Sequence, residues 1–364
     1  MDDGSNFGIA REVIDFDVLD GWMTAHGLRA EGLPGAGFER VETLAGGTQN
    51  VLLRFQRGGR DYVLRRGPPH LRPKSNDSLR REARVLQALA GTDVPHPGFI
   101  AGCMDESVMG GAVFYLMEPV DGFNPSVGLP ALHASDAGIR HAMGLQMADA
   151  AARLAAVDHV AAGLGDVGQP EGFLERQVGR WLSELESYSR FEGYPGPEIP
   201  GVEEVAAWLE ANRPAQSRAG IIHGDYHLAN VMFSYTGPEL AAIVDWEMCT
   251  IGDPLLDLGW LLATWPNQDA GAPGPGSVGA GLAAAGGLPT TRELVAAYAE
   301  RSDRDLSAID WYAVLACFKL GIVLEGTNAR AYAGKAPRAV GDMLHATTLG
   351  LFSRAAGLIA GMRQ

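Results

Sequence analysis

The chain has 364 residues, and its 29 basic and 44 acidic side chains give a formal net charge of −15 at pH 7. That balance disfavours nucleic acid as a partner, because a phosphate backbone is bound by clustered Lys and Arg side chains. A hydrophobic fraction of 46% and a charged fraction of 20% allow a sizeable core and exclude disordered and fibrous proteins. The length predicts two domains or one large two-lobed unit.

The sequence shows no sign of secretion or of membrane insertion. No apolar run approaches the roughly 18 residues that a membrane-spanning helix needs, and the first residues carry no basic charge. Cys103, Cys249 and Cys317 are odd in number and widely spaced, which disfavours a disulfide framework and a cysteine zinc site. We therefore expect a cytoplasmic protein with no membrane partner and with reduced, buried cysteines.

The chain before Pro68 predicts one helix and a small antiparallel sheet. The helix is expected from Phe16 to His26, with Asp15 as its N-cap and Gly27 as its stop. Three strands are expected, from Glu39 to Ala45, from Val51 to Gln56 and from Asp61 to Arg66. Gly58 and Gly59 predict a two-residue hairpin between the last two strands, because both positions tolerate a positive φ.

A second helix and a further strand precede a change in the pattern. The helix is expected from Ser78 to Ala90, and Glu82 lies on its apolar stripe. A carboxylate in that position is costly to bury unless a cation is paired with it. A strand from Val113 to Met117 follows, and a turn at 118–122 ends it. The predicted domains are residues 1–117 and residues 118–364.

Beyond the turn the pattern is helical and rich in alanine. The expected helices are Ser135 to Val160, Gly172 to Ala211, Thr290 to Arg301, Ile309 to Glu325 and Val340 to Met362. The segment between Pro266 and Pro289 consists mainly of Gly, Ala and Pro, and such a segment cannot form a packed element of its own. We expect a mobile loop there.

The densest group of polar residues flanks a pair of short apolar runs. The first run follows His223-Gly224-Asp225-Tyr226-His227-Leu228-Ala229-Asn230, and the second run ends at Asp245-Trp246-Glu247. A turn joins the two runs, so we expect them to pair as a hairpin. The outer ends of a hairpin lie side by side, which predicts that Asn230 and Asp245 are neighbours and that Asp225 lies one loop away.

The side chains of this motif are those that Mg²⁺ and a proton transfer need. An amide oxygen beside a carboxylate suits Mg²⁺, and a carboxylate just ahead is placed to accept a proton from an attacking hydroxyl. The pattern therefore predicts phosphoryl transfer, with Asp225 as the base and with Asn230 and Asp245 as metal ligands. One alternative is that the three residues only cap turns or start a helix. Another is a metal hydrolase. Its ligands would be His223, Asp225, His227 and Asp245.

The segment 223–230 resembles the catalytic loop of the aminoglycoside phosphotransferase (choline kinase-like) family, and Asp245-Trp246-Glu247 resembles its metal-binding segment. Gly252-Asp253-Pro254-Leu255-Leu256-Asp257 also fits the family pattern, in which Asp257 would hydrogen-bond the backbone of the catalytic loop. The resemblance implies an α+β, two-lobed protein-kinase-like fold, with a small antiparallel-sheet N-lobe and a larger, mainly helical C-lobe. It also implies ATP and Mg²⁺ as cofactors and Glu247 as a further metal ligand.

The resemblance assigns a nucleotide-binding role to the first lobe. Its glycine loop would fold over the ATP phosphates, although two glycines are also what a plain hairpin turn needs. The loop residues are Gly46, Gly47, Thr48 and Asn50. The other expected contacts are Val63 over the adenine and the backbone of Glu118 and Val120 at the adenine edge.

The third strand departs from the pattern of kinases. Kinases place a lysine there to hold phosphates and pair it with a helix glutamate, whereas this strand carries Arg65 and no lysine. Arginine has the same charge and binds phosphate in a bidentate manner, so we expect Arg65 to face the phosphates and to pair with Glu82. The alternative is that Arg65 is an exposed strand residue and Arg66 points inward.

Three further segments resemble the kinase-like domain that precedes an acyl-CoA dehydrogenase in some proteins. They are Tyr62 to Pro69, Met117 to Gly122 and Lys319 to Arg330. Arginine on the third strand is usual in that branch, and the resemblance spans roughly Phe38 to Ser353. No dehydrogenase sequence is present, so we expect a free-standing form of this domain.

The charge of the C-terminal segment bears on the substrate. Nine basic and seven acidic residues lie between Pro289 and Gln364, whereas a polycationic aminoglycoside would call for acidic surroundings. We therefore expect a small molecule with a hydroxyl group that is neutral or anionic, and the acyl-CoA association points to a hydroxyacyl thioester. An aminoglycoside phosphotransferase and a nucleotide-binding pseudokinase are the alternatives.

Overall fold

The structure is a computed structural model that describes residues 13–28, 37–44, 50–68, 70–71, 74–266 and 279–362. No helix among these residues is long and apolar enough to cross a membrane. The chain divides into two compact units. The first consists of Met1–Asp121 and Ala242–Cys249, and the second of Gly122–Ala241 and Thr250–Gln364. The roles predicted for residues 1–117 and 118–364 as functional domains stay a prediction.

The first unit is built on a five-stranded antiparallel sheet with the strand order β1-β2-β3-β5-β4. The strands are β1 Phe38–Thr43, β2 Val51–Arg57, β3 Arg60–Arg66, β4 Phe99–Cys103 and β5 Phe114–Met117. The α-helices described in this unit are α1 Phe16–Ala25 and α2 Ser75–Leu89. Leu19 of α1 packs with Phe55 and Phe114 of the sheet in one apolar core.

Local sequence explains the first helix and the hairpin. Asp15 Oδ1 accepts two backbone N–H groups of the first turn of α1, both at 3.1 Å, which confirms the predicted N-cap. Gly58 and Gly59 have φ values of +59° and +78°, in the region that favours glycine, and the predicted hairpin between β2 and β3 is confirmed.

Two elements of the first unit differ from the prediction. Strand β4 was not predicted, because Phe99 to Cys103 lacks the alternation of apolar and polar residues that marks a half-buried strand. Helix α2 begins at Ser75, three residues before the predicted start. Glu82 is fully buried on this helix, as its place on the apolar stripe predicted.

The second unit is mainly helical. Its α-helices are α3 Ala131–Ser135, α4 Ala137–Ala156, α5 Gln177–Ser187, α6 Val202–Ala211, α7 Leu255–Thr264, α8 Ala280–Ala285, α9 Thr291–Arg301, α10 Ile309–Tyr332 and α11 Arg338–Met362. The short strands β6 Gly220–Ile222 and β9 Thr250–Gly252 pair antiparallel. Strands β7 Val231–Phe233 and β8 Leu240–Ile243 form the predicted two-stranded sheet, and the last two residues of β8 are assigned to the first unit.

Several predicted helices have different bounds in the structure. The helix expected from Ser135 to Val160 is interrupted at Asp136, whose carboxylate caps the start of α4. The stretch expected to be helical from Gly172 to Ala211 is broken between α5 and α6, where glycine and proline recur. Helix α10 continues seven residues beyond Glu325, to Tyr332.

The low-complexity segment is more ordered at its end than predicted. The expectation of a mobile loop from Pro266 to Pro289 was wrong for Ala280–Ala285, which forms α8. Alanine is the strongest helix former, and this helix contains four alanines in six residues. Residues 267–278 of the predicted loop lie outside the described part of the chain.

Candidate active site

The loop that follows β6 is anchored by a buried carboxylate from helix α7. Asp257 accepts the backbone N–H of His223 at 2.6 Å and that of Gly224 at 2.9 Å. This confirms the contact that was expected between Asp257 and the loop backbone. Burial raises the pKa of Asp257 to about 7, although the two N–H donors act in the opposite direction. The anchor therefore fixes the two residues that precede Asp225.

Asp225 is held by side chains of its own loop. Its Oδ2 accepts a hydrogen bond from Asn230 Nδ2 at 2.9 Å, and its Oδ1 lies 3.1 Å from His227 Nε2. Burial raises the pKa of Asp225, but the hydrogen bond from His227 and nearby positive charge outweigh burial and lower it to about 2. The carboxylate is therefore ionised at neutral pH and has a fixed orientation.

Asn230 is oriented by the same contacts. Its Nδ2 also donates to the backbone carbonyl of Asp225, at 2.9 Å. Because the amide nitrogen is directed at Asp225 twice, the carbonyl oxygen Oδ1 is the atom of this side chain that suits a cation. Asn230 is buried, with 8% of its surface exposed, so its orientation is well defined.

The hydrogen bonds of His227 define its role in the loop. Its Nδ1 accepts the backbone N–H of Ala229 at 3.1 Å, so in the neutral ring the proton is on Nε2, which faces Asp225. Both ring nitrogens of His227 are therefore engaged within the loop. This arrangement disfavours the hydrolase alternative, in which a ring nitrogen of His227 would bind a metal.

Another cluster of charged side chains lies in the first unit and is centred on Arg65. Arg65 Nε lies 2.8 Å from Glu82 Oε2, and Arg65 Nη2 lies 2.7 Å from Asp245 Oδ1 and 3.9 Å from Glu247 Oε2. Tyr115 donates its hydroxyl to Glu82 at 2.9 Å. The predicted ion pair between Arg65 and Glu82 is therefore present, and the alternative of an exposed Arg65 was wrong, since 6% of the residue is exposed.

The cluster has the donor chemistry of a site for a hard cation. Oxygen atoms of Glu82, Asp245 and Glu247 lie within 4.8 Å of one another. Burial lowers the pKa of Arg65, but the carboxylates around it outweigh burial, so its pKa is raised. Arg65 is thus a permanent cation beside Asp245 and Glu247, the two of these carboxylates that are only half-buried.

The backbone around Asp245 has an unusual conformation. Asp245 has a φ of +66° and begins a short 3₁₀ turn, Trp246–Met248. Side-chain donors hold this turn, because Trp246 Nε1 donates to the carbonyl of Ile243 at 3.0 Å and Arg81 donates to the carbonyl of Glu247. A left-handed aspartate is uncommon, and such residues cluster at functional sites.

The other predicted nucleotide-binding residues are found in several environments. Val63 is buried on β3, and Asn50 and Val120 are half-buried. The backbone N–H of Glu118 donates to the carbonyl of Gly98 at 2.8 Å, and its side chain pairs with Arg60. Gly46, Gly47 and Thr48 lie outside the described residues. Contact of these residues with a nucleotide stays a prediction.

Arg81 and Tyr115 were missed by the sequence reasoning. Arg81 adjoins Glu82 in sequence and Tyr115 lies on the predicted strand before the turn, yet neither position carries a pattern of its own. A helical wheel could have placed Arg81 beside the stripe that carries Glu82. The partner of Tyr115 depends on how β5 and α2 pack, which a local pattern does not contain.

Removing the charge of Arg65 is expected to destabilise the protein strongly. Arg65→Met leaves the buried carboxylate of Glu82 without its cation, which typically costs about 3–5 kcal/mol of unfolding free energy. Arg65→Lys keeps a positive charge and is expected to lose less. Urea denaturation monitored by tryptophan fluorescence measures these differences.

Two further variants control this prediction. Glu82→Gln added to Arg65→Met should recover part of the loss, because the unpaired buried charge is then removed. Arg218→Met removes an exposed ion pair with Asp303 and should cost at most about 1 kcal/mol. Equal losses of unfolding free energy in Arg65→Met and Arg218→Met would contradict the importance of the buried ion pair.

The anchor at Asp257 predicts a pH-dependent stability. The pKa of Asp257 is about 7 in the folded protein, above the value of about 4 of an unfolded aspartate, so its ionisation opposes folding. That cost is absent below about pH 4 and complete above about pH 7. The free energy of unfolding of the wild type should therefore fall over this range relative to that of Asp257→Asn, which cannot ionise.

Denaturation curves between pH 4 and pH 8 check this expectation. At any one pH, Asp257→Asn also loses an acceptor for one of the two loop N–H groups, at a cost of about 1–3 kcal/mol. Asp158→Asn, at an exposed carboxylate, serves as the matched control. If the wild type and Asp257→Asn keep a constant difference across the whole range, the carboxyl does not titrate as described.

The profile of the phosphotransferase enzyme family, APH, matches residues 40–298 of this chain. Acyl-CoA dehydrogenase family member 11 of Homo sapiens is 29% identical over 336 residues, which cover 88% of this chain and 40% of that protein. The chain thus spans about two fifths of the length of this relative. The match agrees with the resemblance to the kinase-like domain that accompanies acyl-CoA dehydrogenases.

Two solved structures show the same fold. A crystal structure of a candidate aminoglycoside phosphotransferase from Ralstonia eutropha JMP134 has a TM-score of 0.73 at 30% identity and covers 94% of this chain and 99% of that one. The GDP complex of aminoglycoside 2′-phosphotransferase-IIIa has a TM-score of 0.58 at 17% identity. The match covers 96% of this chain and 98% of that one. These likenesses confirm the α+β, protein-kinase-like fold that the motifs implied. Together with the family profile, they establish that the chain belongs to the APH phosphotransferase enzyme family.

Proposed function

We propose that this phosphotransferase transfers the γ-phosphoryl group of ATP to a hydroxyl group of a small molecule. The observation that carries the proposal is the state of Asp225. Its carboxylate is ionised, with a pKa of about 2, and His227 and Asn230 fix its orientation on a loop that Asp257 anchors. A fixed anion of this kind is what a positioned acceptor for the proton of a hydroxyl requires.

Asp225 acts on the acceptor hydroxyl. It accepts a hydrogen bond from the hydroxyl and so orients the oxygen toward the γ-phosphorus. As the new oxygen–phosphorus bond forms and the bond to the leaving ADP oxygen breaks, the hydroxyl proton passes to the carboxylate of Asp225. A low pKa suits this order of events, because phosphoryl transfer has a loose transition state in which the proton leaves late.

Asn230 and Asp245 are the proposed ligands of Mg²⁺, with Glu247 as a further ligand. The residues fit this ion, because each offers an oxygen and Asn230 directs its amide nitrogen away, at Asp225. When bound, Mg²⁺ would neutralise charge on the phosphates of the nucleotide. Asp245 and Glu247 lie beside Arg65, so the same carboxylates also hold the guanidinium group of Arg65 in place.

Arg65 is the proposed phosphate-binding cation, in the place where kinases carry a lysine. Its pair with Glu82 has the distances of a direct ion pair, which supports a role like that of the kinase lysine and helix glutamate. A GDP complex of a protein with this fold supports nucleotide binding. The remaining proposed nucleotide contacts are Gly46, Gly47, Thr48, Asn50, Val63, Glu118 and Val120.

The proposed acceptor is a hydroxyacyl thioester or a related hydroxy compound. The relationship to acyl-CoA dehydrogenase family member 11 and the excess of basic residues between Pro289 and Gln364 support it. An aminoglycoside is the second candidate, because the Ralstonia eutropha protein, 30% identical, carries that description. The C-terminal segment carries more basic than acidic residues, which does not favour a polycationic substrate.

An ATP-consumption screen tests the proposal. The purified protein is incubated with ATP, Mg²⁺ and one of four acceptor classes: hydroxyacyl-CoAs, amino alcohols, sugars or aminoglycosides. We expect turnover with a hydroxyacyl-CoA that is strongly reduced in Asp225→Asn and persists in the surface control Asp158→Asn. Turnover with aminoglycosides alone would overturn the acceptor class. Tight ATP binding without turnover of any acceptor would favour a pseudokinase.

A further inference from the structure

Lys319 is a buried cation to which the proposed reaction assigns no role. It lies in helix α10, only 5% of its surface is exposed, and it belongs to the second unit. The chain has only three lysines among its 29 basic residues, the other two being Lys74 and Lys335. Burying a charge is costly unless other groups compensate for it, so its partners are informative.

The partners of Lys319 belong to the loop that carries Asp225 and to two neighbouring helices. Its Nζ donates to the carbonyl of Gly224 at 3.0 Å. The ammonium group lies 4.4 Å from the ring centre of Trp260 and 5.6 Å from that of Trp181, distances typical of cation–π contacts. The charged groups that act on it are Asp225, Asp257 and Arg180.

Lys319 keeps its charge in this environment at neutral pH. Burial lowers its pKa to about 8, and the carboxylates of Asp225 and Asp257 oppose that shift. Because the aromatic rings and the carbonyl of Gly224 surround the ammonium group, its position is defined on several sides.

The contact with Gly224 acts on the peptide unit immediately before Asp225. Gly224 has a φ of +88°, and a glycine resists rotation of its flanking peptides less than other residues do. Lys319 donates to the carbonyl oxygen of this peptide. The N–H of the same peptide belongs to Asp225 and is directed at His223 Nδ1, at 3.3 Å. Asp257 holds the N–H of Gly224 itself, at 2.9 Å.

The two anchors therefore differ in what they fix. Asp257 binds the backbone N–H groups of His223 and Gly224, which sets the path of the loop. Lys319 binds the next carbonyl, which sets the plane of the peptide from which the Asp225 side chain starts. A rotation of this plane would move the carboxylate, and a misplacement of about 1 Å is enough to cost on the order of 10²-fold in rate.

We propose that Lys319 is a positioning residue for Asp225, which it orients by holding the Gly224–Asp225 peptide from helix α10. The proposal rests on the proposed function, because it assigns Asp225 the role of proton acceptor. It concerns orientation, so the affinity for ATP should not depend on Lys319. The hydrogen bond of Lys319 goes to the backbone carbonyl of Gly224, so its directional hold on Asp225 acts through the peptide.

Lys319→Met tests the proposal, since methionine is of similar length and has no donor. We expect kcat to fall by about 10- to 100-fold, with the KM for ATP changed less than twofold. Lys319→Gln keeps an N–H donor and should recover part of the lost kcat, and it serves as the test if the methionine variant does not fold. Lys335→Met, at an exposed lysine over Phe191, is the matched control and should retain kcat.

A double-mutant cycle with Asp225→Asn separates a positioning role from a general structural one. If Lys319 acts through Asp225, Lys319→Met should cause no further loss of kcat in the Asp225→Asn background. The proposal would be overturned if Lys319→Met lowered kcat in the Asp225→Asn background as much as in the wild type. It would also be overturned if kcat were unchanged in both Lys319→Met and Lys319→Gln. Full activity of Asp225→Asn alone would instead refute the proposed function, so the two failures are distinguishable.

Discussion

Replacing Asp225 by asparagine is expected to lower kcat by about 10²- to 10⁴-fold, while the affinity for ATP with Mg²⁺ changes little. The amide cannot accept the hydroxyl proton, and it orients the hydroxyl poorly because its nitrogen is a donor. The side chain has almost the same size, and the loop backbone is held by Asp257 and Lys319. Steady-state kinetics with the acceptor found in the screen measure the effect.

Two control variants separate the loss of the proton acceptor from other effects of the substitution. Asp158→Asn makes the same chemical change at an exposed loop and should leave kcat and KM unaltered. His227→Ala removes the donor to Asp225 Oδ1 and should give a smaller loss than Asp225→Asn, because Asn230 still holds the other oxygen. A kcat of Asp225→Asn within a factor of about three of the wild type would contradict its role as proton acceptor.

Asp245→Asn is expected to have a different effect. The loss of its charge removes the main protein ligand proposed for Mg²⁺, so Mg²⁺-dependent nucleotide binding should weaken and turnover should be abolished. Asn230→Ala should act in the same direction more mildly, because Asn230 contributes a neutral oxygen. Nucleotide titrations at several Mg²⁺ concentrations, combined with the kinetic assay, measure both effects.

The surroundings of Asp245 provide the controls for this variant. Arg65 lies 2.7 Å from Asp245, and it keeps its partner Glu82 when the charge of Asp245 is removed, so the first unit should remain folded. Glu247→Gln, at a carboxylate 3.9 Å from Arg65, tests whether a second metal ligand is needed. Unchanged Mg²⁺ dependence of ATP binding in Asp245→Asn would refute its role as a metal ligand.

The sequence was most informative where a local pattern has one physical solution. A carboxylate on an apolar helical stripe requires a cation, and the structure provides Arg65 for Glu82. Two adjacent glycines between strands predict a hairpin, and Gly58 and Gly59 form one. Asp257 could be assigned to the loop backbone only through the family resemblance, since its partners lie more than thirty residues away.

Long-range packing explains what the sequence did not show. Lys319 is 95 residues from Gly224, and a single lysine in a helical stretch carries no pattern that would pair it with a carbonyl. Strand β4 consists of apolar residues and glycine, so no alternation marks it, and its place in the sheet depends on its pairing with β5. Helix α8 lies in a segment whose composition resembles a linker, and composition alone does not distinguish such a segment from a short helix rich in alanine.

Calorimetric titration of ATP, with and without Mg²⁺, distinguishes the two carboxylates, because Asp225 is expected to serve the proton transfer and Asp245 the metal. The wild type and Asp225→Asn should gain the same increment of ATP affinity when Mg²⁺ is added. Asp245→Asn should lose most of that increment. Equal losses of Mg²⁺-dependent affinity in Asp225→Asn and Asp245→Asn would contradict the division of roles between the two carboxylates.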